Sequence, residues 1–379
     1  MSEVLELAQA LIAIDSVNPD LDAGAAGELE ISGFIAAWLT TRGFEVTILE
    51  PAPNRPTVVG VLRGSGGGGK TLMLNGHTDT VALEPFDGDP LEPRVENGKL
   101  YGRGSYDMKA GVAAMLVAAA RVRDAGLRGD LIVACVCDEE VASLGSFDLV
   151  KYFSADAAIV TEPTDHALYI AHKGFVWADV TVHGVAAHGS RFDLGRDAIA
   201  LMGAVLTGVR QLDLALRSRA LHPLLGHGSL HAGTITGGQG YSSYAQNCTV
   251  TLERRTIPGE TPQTVEAELR ALLEGIRAAD ADFSYTLEIG LTREPFEIDP
   301  AHEFVAITHK HVSSVLGEPA RLEGVGFWAD TSALSSAGIP SLMFGCLGAG
   351  AHAASEWVSV DSLERCTDII ESIIREFCA

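Results

Sequence analysis

Residues 63–81 read RGSGGGGKTLMLNGHTDTV, and the fold turns on whether a helix or a strand succeeds the glycines. Positions 64–71 match G-x-x-x-x-G-K-[ST], the pattern of a phosphate-cradling P-loop. Such a loop must follow a strand and open a helix, whose free amides then face the phosphates. TVVGVLR (57–63) reads as the strand. TLMLNGHTDTV (71–81) does not read as a helix, because it is rich in β-branched and large apolar residues and meets Gly76 after one strand's length. The expectation is therefore strand, glycine run, strand, a hairpin whose glycines supply the unusual backbone angles. The chemistry is expected just beyond, in GHTDTV. A P-loop nucleotide hydrolase stands as the rival of a different class.

Asp and Glu number 50 against 27 Lys and Arg, a net charge of −23. Nucleic-acid surfaces need a basic stripe, so that class of partner is excluded, and the acidity reads as a solvated surface. The 379 residues are 47% hydrophobic and 20% charged, a globular balance with length for two domains. The start, MSEVLELAQALIAID, has early acids on a helical period and lacks the basic opening and cleavage site of a signal peptide. No window is expected to reach the length of a membrane span; GVAAMLVAAARV (111–122) is too short. Cys135, Cys137, Cys248, Cys346, Cys366 and Cys378 are sparse and read as reduced, buried thiols of a cytoplasmic protein.

Helical periods at about 2–14, 24–42 and 108–124 alternate with strands at 45–49, 131–137 and 157–161. Near the C-terminus come a helix at 330–338, a strand at 340–345 and a closing helix at 360–377. Alternation of this kind implies an α/β sheet covered by helices. Between about 176 and 290 the order becomes β-α-β-β-α-β, the ferredoxin-like split unit. Its second helix is expected to be capped by Thr261, with Pro262 in the first turn. The expected organisation is a helix-covered mixed sheet forming a catalytic domain from 1–175 and 291–379, with an α+β domain at 176–290 inserted into it.

Four strands of the larger domain end alike. One ends at His77 and Asp79, one at Asp138, Glu139 and Glu140, one at Glu162, and one in a loop that reaches His352. Ligands of open α/β sheets bind outside the carboxyl ends of the strands, so parallel strands would bring these groups to one rim. Asp107 immediately precedes a helix. Taken alone, Asp107 reads as an N-cap, His77 and His352 as turn histidines, and the acids as solvated turns. Taken together, crowded carboxylates would repel one another unless cations sit among them. Carboxylate with imidazole suits zinc, cobalt or manganese, and five or six such groups suit two metals bridged by one carboxylate.

At these residues the sequence resembles the dinuclear zinc amidohydrolase superfamily of acetylornithine deacetylase, succinyl-diaminopimelate desuccinylase, aminoacylase-1 and carboxypeptidase G, the M-twenty peptidase family. The resemblance runs nearly end to end, through GHTDTV, YGRGSYDMKAG, DEE, TEP, GVAAHGS, ERRTIPGE and GAGAHAASEWV. It implies two divalent ions, with His77, Asp107 and Glu162 at the first and Asp107, Glu140 and His352 at the second. It implies that Asp79 hydrogen-bonds the far nitrogen of His77, that Glu139 is the general base, and that a cis peptide joins Asp107 to Met108. His188 would be a donor from a lid, Arg255 would grip a substrate carboxylate, and Arg254 would point to the other face of its strand. The inserted domain would serve as lid and as the contact of a homodimer.

Three places depart from the family pattern. An Asn-x-x-Pro in the lid reads Ser242-Ser243-Tyr244-Ala245, leaving Ser242 as the substrate-side candidate. A Gly-Pro-Gly reads Gly345-Cys346-Leu347, and a Ser-x-Pro reads Ser190-Arg191-Phe192. Arg191 reads equally as an anchor for an anionic acyl group and as a rim charge. The function implied is metal-dependent hydrolysis of N-acyl amino acids, with a carboxypeptidase or dipeptidase as the rival within the class and a non-catalytic relative as a further alternative. No membrane partner is implied.

Overall fold

A computed structural model describes residues 2–379, and in it the run after the glycines is a strand. The chain forms two units, one of residues up to Ile170 with Ile298–Glu323 and Ala329–Ala379, the other of Ala171–Glu297 with Gly324–Trp328. The first stretch holds α1 (Glu3–Ile12), α2 (Leu29–Thr41), β1 (Glu45–Ala52), β2 (Arg55–Leu62), β3 (Leu72–His77), β4 (Arg94–Glu96), β5 (Lys99–Tyr101), α3 (Lys109–Arg121), β6 (Leu131–Val136), α4 (Leu144–Leu149), β7 (Ala157–Val160) and β8 (Leu168–His172). The second unit holds β9 (Gly174–His183), α5 (Ala198–Leu216), β10 (Ser229–Gly237), β11 (Asn247–Thr256), α6 (Pro262–Ala279), β12 (Ser284–Arg293) and β13 (Phe296–Glu297). The remainder adds α7 (Glu303–Leu316), β14 (Leu322–Val325), α8 (Thr331–Ser336), β15 (Ser341–Met343), β16 (Gly348–Ala349), β17 (Trp357–Ser359) and α9 (Val360–Phe377).

The large sheet runs β1-β2-β6-β3-β7-β15-β8. Strands β6, β3, β7 and β15 are mutually parallel and β1, β2 and β8 are antiparallel to their neighbours. The hairpin expected of β2 and β3 is not formed: β6 inserts between them, pairing Val61 with Ile132 on one side and Met73 with Ile132 on the other. Both strands are buried apolar runs, and such runs gain more from a central neighbour than an isolated two-stranded ribbon would. The glycine run instead packs on the 128–129 backbone. A Cβ on Gly64 or Gly69 would meet Arg128 or Gly129 main chain at 2.4 and 2.1 Å, while Gly66, Gly67 and Gly68 are exposed with nothing within 4 Å. The amides of Gly64, Ser65 and Gly66 are spent on Asp130, Leu127 and Arg128, and Lys70 pairs with Glu303. With a strand after it in place of a helix, and its first three amides engaged, the stretch lacks the geometry of a phosphate cradle.

Helix α3 is buried from Lys109 to Ala119 and packs against the sheet, α1 and α9. Small residues make this approach possible: a Cβ on Gly111 would meet the Thr161 carbonyl oxygen at 2.1 Å. Helix α9 follows the amphipathic rule, burying Leu363, Cys366, Ile369, Ile370, Ile373, Ile374 and Phe377, and Ser359 caps it by accepting from the Ser362 amide. All six cysteines are free and buried.

The second unit has a four-stranded antiparallel sheet in the order β10-β11-β9-β12, the ferredoxin-like arrangement of its β-α-β-β-α-β chain. Val176, Ala178, Val180 and Val182 alternate inward along β9 and meet Met202, Val205 and Val209 of α5 and Val265, Leu269 and Leu273 of α6. Thr261 caps α6 with Pro262 in its first turn. Helix α5 corrects the expectation that no segment has the length of a membrane span. Its 19 residues are long and apolar enough by composition, and it is the one such helix among the described residues. Its inner side packs on the sheet, whereas Ile199, Leu206 and Leu214 are exposed. Between α5 and α6 lies an apolar groove of about 1010 Å³ lined by Ala204, Gly208, Leu212, Leu272 and Ile276. It contains none of the residues singled out for chemistry.

Candidate active site

The parallel strands end where the acids begin. His77 closes β3 opposite Val136, the last residue of β6 and two before Asp138, and Glu162 follows β7. His77 is buried, and its Nδ1 donates to the Asp79 carbonyl oxygen at 2.9 Å, which turns Nε2 toward the acids. Nε2 lies 3.1 Å from Asp107 Oδ1, 3.7 Å from Glu162 Oε1 and 4.0 Å from Glu139 Oε2. The partner expected for Nδ1 was the Asp79 carboxylate, and that carboxylate stands off at 3.6 Å. It is occupied otherwise. Asp79 Oδ1 accepts the Glu139 amide at 3.1 Å, and Oδ2 accepts the Glu140 amide at 3.1 Å and Asn18 Nδ2 at 2.8 Å. Asp79 thus orients His77 through its main chain and both glutamates through its side chain.

Asp107 joins two imidazoles. Its Oδ1 faces His77, and its Oδ2 lies 3.4 Å from His352 Nε2, which also sits 3.0 Å from Glu140 Oε2. The alternative reading of Asp107 as an N-cap does not hold: Met108 is the cap residue of α3, with no side-chain cap bond. The peptide Asp107–Met108 is cis. Ligand-capable atoms fall within 4.8 Å of one another in two groups, His77–Glu139–Glu162 and His77–Asp107–Glu140.

Burial, then the charge of Glu162, pushes Glu139 well above the usual carboxylate range; burial likewise raises Glu162 and Glu140. Burial would raise Asp107 too, but hydrogen bonds from His352 and His77 outweigh it and hold that carboxyl low. Hydrogen bonds to Asp107 and Glu140 push His352 up to about 10. Buried like charges take up protons when nothing else compensates them. Divalent cations would compensate them instead, and carboxylate with imidazole is the donor set such ions take, so the residues present fit.

The remaining candidates, apart from Cys346, lie in the second unit. His188 is exposed, with Nδ1 2.8 Å from Ser190 Oγ, and Ser242 accepts the Gly189 amide through its carbonyl at 2.7 Å. Arg255 lies on the open face of the sheet, where its Nε donates to Glu253 at 2.8 Å and its guanidinium stands 5.4 Å over Phe175. Trp177 Nε1 donates to the other oxygen of Glu253 at 3.0 Å. Arg254 points to the opposite face, buried and paired with Glu260. Arg191 is exposed and paired with Asp193 at 2.9 Å, and Cys346 is buried beside the rim loop.

Several contributors are not singled out by sequence reasoning. Asn18 Nδ2 bridges Asp79 to Asp138 Oδ1, 3.0 Å away, and Arg55 links Asp138 at 2.7 Å to Glu28 at 2.8 Å. Removing one partner of such a buried pair costs about 3–5 kcal/mol. Asp330 is buried near Ser146 and Ser143, neither of its oxygens has a hydrogen-bond partner among the described residues, and burial pushes it up to about 6. Glu356 is buried behind Asp107. No apolar period marks Glu356 in the sequence, because the strand that follows it has only three residues.

Fold and rim together define a metal-dependent amidohydrolase. The chain belongs to peptidase family M20/M25/M40, whose sequence pattern matches residues 73–376. It is 30% identical to the acetylornithine deacetylase of Vibrio atlanticus over 99% of this chain and 98% of that protein. It is 29% identical to the N-formyl-4-amino-5-aminomethyl-2-methylpyrimidine deformylase of Bacillus subtilis over 100% of this chain and 95% of the relative. A solved Bacillus subtilis protein of the family, described as a dinuclear metal-binding peptidase, shares the fold at a TM-score of 0.76 and 14% identity, covering 99% of this chain and 97% of that one.

Proposed function

We propose that the chain cleaves the amide bond of N-acyl amino acids. The observation that carries this reading is the sharing of one carboxylate, with Asp107 Oδ1 3.1 Å from His77 and Oδ2 3.4 Å from His352. His77, Asp107 and Glu162 would hold one divalent ion and Asp107, Glu140 and His352 a second, with zinc the first choice and cobalt or manganese the alternatives. When bound, the ions would acidify a water and polarise the amide carbonyl. Glu139 takes the proton of the attacking water and returns it to the amine nitrogen as the C–N bond breaks. Glu139 and Glu140 share the turn after β6, where Glu140 lies 3.0 Å from His352 and Glu139 groups with His77 and Glu162, which supports dividing these tasks between them. His188 donates to the carbonyl oxygen as it gains charge, and Arg255, with Ser242 nearby in the same unit, receives the substrate carboxylate.

The names of the two full-length relatives describe removal of an acetyl and a formyl group, which favours an acyl donor over a peptide. The family's description as peptidases supports the second reading, a carboxypeptidase or dipeptidase. Metal-loaded protein assayed on N-formyl and N-acetyl amino acids and on dipeptides separates the two. We expect turnover of the N-acyl substrates, abolished by a chelator and restored by Zn²⁺ or Co²⁺. Faster cleavage of dipeptides replaces the deacylase with the peptidase, and inertness toward every amide ends both. We place the enzyme in the cytoplasm on its six free thiols, and as a homodimer on the exposed apolar residues of α5 and the open edge of β10. The mass in solution tests the pairing.

A further inference from the structure

Asp107 occupies the decisive position between two imidazoles, yet neither helix nor strand holds it: it lies in the irregular stretch between β5 and α3. A single buried carboxylate fixes this stretch. Glu356 Oε1 accepts the amides of Tyr106 at 2.8 Å and Asp107 at 3.0 Å, and Oε2 accepts the Gly104 amide at 3.0 Å and Arg103 Nη1 at 3.1 Å. Glu356 is itself placed by pairing of the next residue, since Trp357 of β17 lies opposite Tyr101 of β5. Arg103 then reaches the other loop, donating to the Ala353 carbonyl at 3.0 Å, one residue beyond His352. Further bonds from Arg103 to the carbonyls of Ala82 and Pro85 engage the other two nitrogens of its fork.

We propose that Glu356, with Arg103, is a positioning residue that sets Asp107 and His352 in mutual register, so that the second metal site forms only while this clamp is closed. The inference rests on the two-metal reading of the rim. An amide in place of the carboxylate keeps the shape but turns an NH₂ donor toward backbone N–H donors, leaving at least one without an acceptor. The site of Asp107, Glu140 and His352 should suffer first, because His77 and Glu162 are fixed independently at strand ends. Loss of such supporting hydrogen bonds lowers metal affinity by about 10–100-fold.

The test is a Co²⁺ titration of metal-free protein, followed by calorimetry and visible absorption, with circular dichroism as a check of the fold. Fewer than two ions on the unaltered protein would break the two-metal reading itself. Given two, Glu356→Gln is expected to weaken one ion by about 10–100-fold and the other, which shares only Asp107 with the clamp, by clearly less, with kcat reduced more than KM is raised. Two ions at unaltered affinity would overturn the proposal, as would weakening of both alike in a folded protein. Should Glu356→Gln not fold, Arg103→Lys decides in the same assay: it weakens one ion if the clamp acts as described, and unaltered binding refutes it.

Discussion

Around His77 four carboxylates gather, those of Asp107, Glu139, Glu140 and Glu162, and among the described residues no lysine or arginine pairs with any of them. On the open face of the second unit's sheet, by contrast, Arg255 has Glu253 beside it, and on the loop beyond, Arg191 has Asp193. Both regions are polar, but only in the first are the carboxylates buried with no lysine or arginine to pair with. Buried imbalance at strand ends has to be answered by a cation from outside the chain, whereas self-paired charges on an open face answer one another and stay available for exchange with a ligand. The supporting bonds follow the same division. Asp79 and Glu356 spend both oxygens on backbone amides behind the rim, while Glu253 is held only by side chains.

The sharpest way to break this contrast is Glu139→Gln. If the rim carries the chemistry, kcat falls by about 10²–10⁴-fold while metal content, read by atomic spectroscopy, is unchanged. Unaltered turnover would remove Glu139 from the mechanism. Acidity offers the next test. Because His352 titrates up to about 10 without a cation, the metal-free protein carries that proton at neutral pH and must release it on binding. Affinity measured against a chelator should therefore rise with pH, by about tenfold per unit for each proton displaced, and a flat profile would contradict the assignment. Arg255→Ala probes the other region. A hydrogen bond to a charged group is worth about 1.5–3 kcal/mol, so KM should rise about 10–100-fold with little change in kcat, and an unchanged KM would free Arg255 of its substrate role. The smallest effect belongs to Lys70→Ala, which should leave hydrolysis intact and change stability in a denaturant titration by about 0–1 kcal/mol, the range of an exposed ion pair.

Much of the rim was legible because His77, Glu139, Glu140 and Glu162 each close or follow a run whose apolar pattern declares a strand, and parallel strands end together. Periodicity announces a strand without naming its neighbour, however. The insertion of β6 between β2 and β3 depends on contacts some seventy residues away in sequence, and the glycine run between them mimics a turn. Short elements such as β16 and β17 have too few residues for a period to emerge. Helix α7 carries readable signals, with Phe304, Val305, Thr308 and Val312 buried at helical spacing and Gly317 ending it at a φ of 76°. The roles of Asn18, Arg55 and Glu356 are beyond such signals, because each acts on backbone or side chains brought to it by the sheet.

The packing of the six cysteines has a practical outcome. None offers sulfur to a maleimide, and Ser65 sits exposed at the edge of a glycine run at whose tip an added side chain would meet nothing within 4 Å. Ser65→Cys would install a single addressable point for a dye or spin label on the native background, opening the larger unit to distance measurements without first stripping the chain of its own thiols.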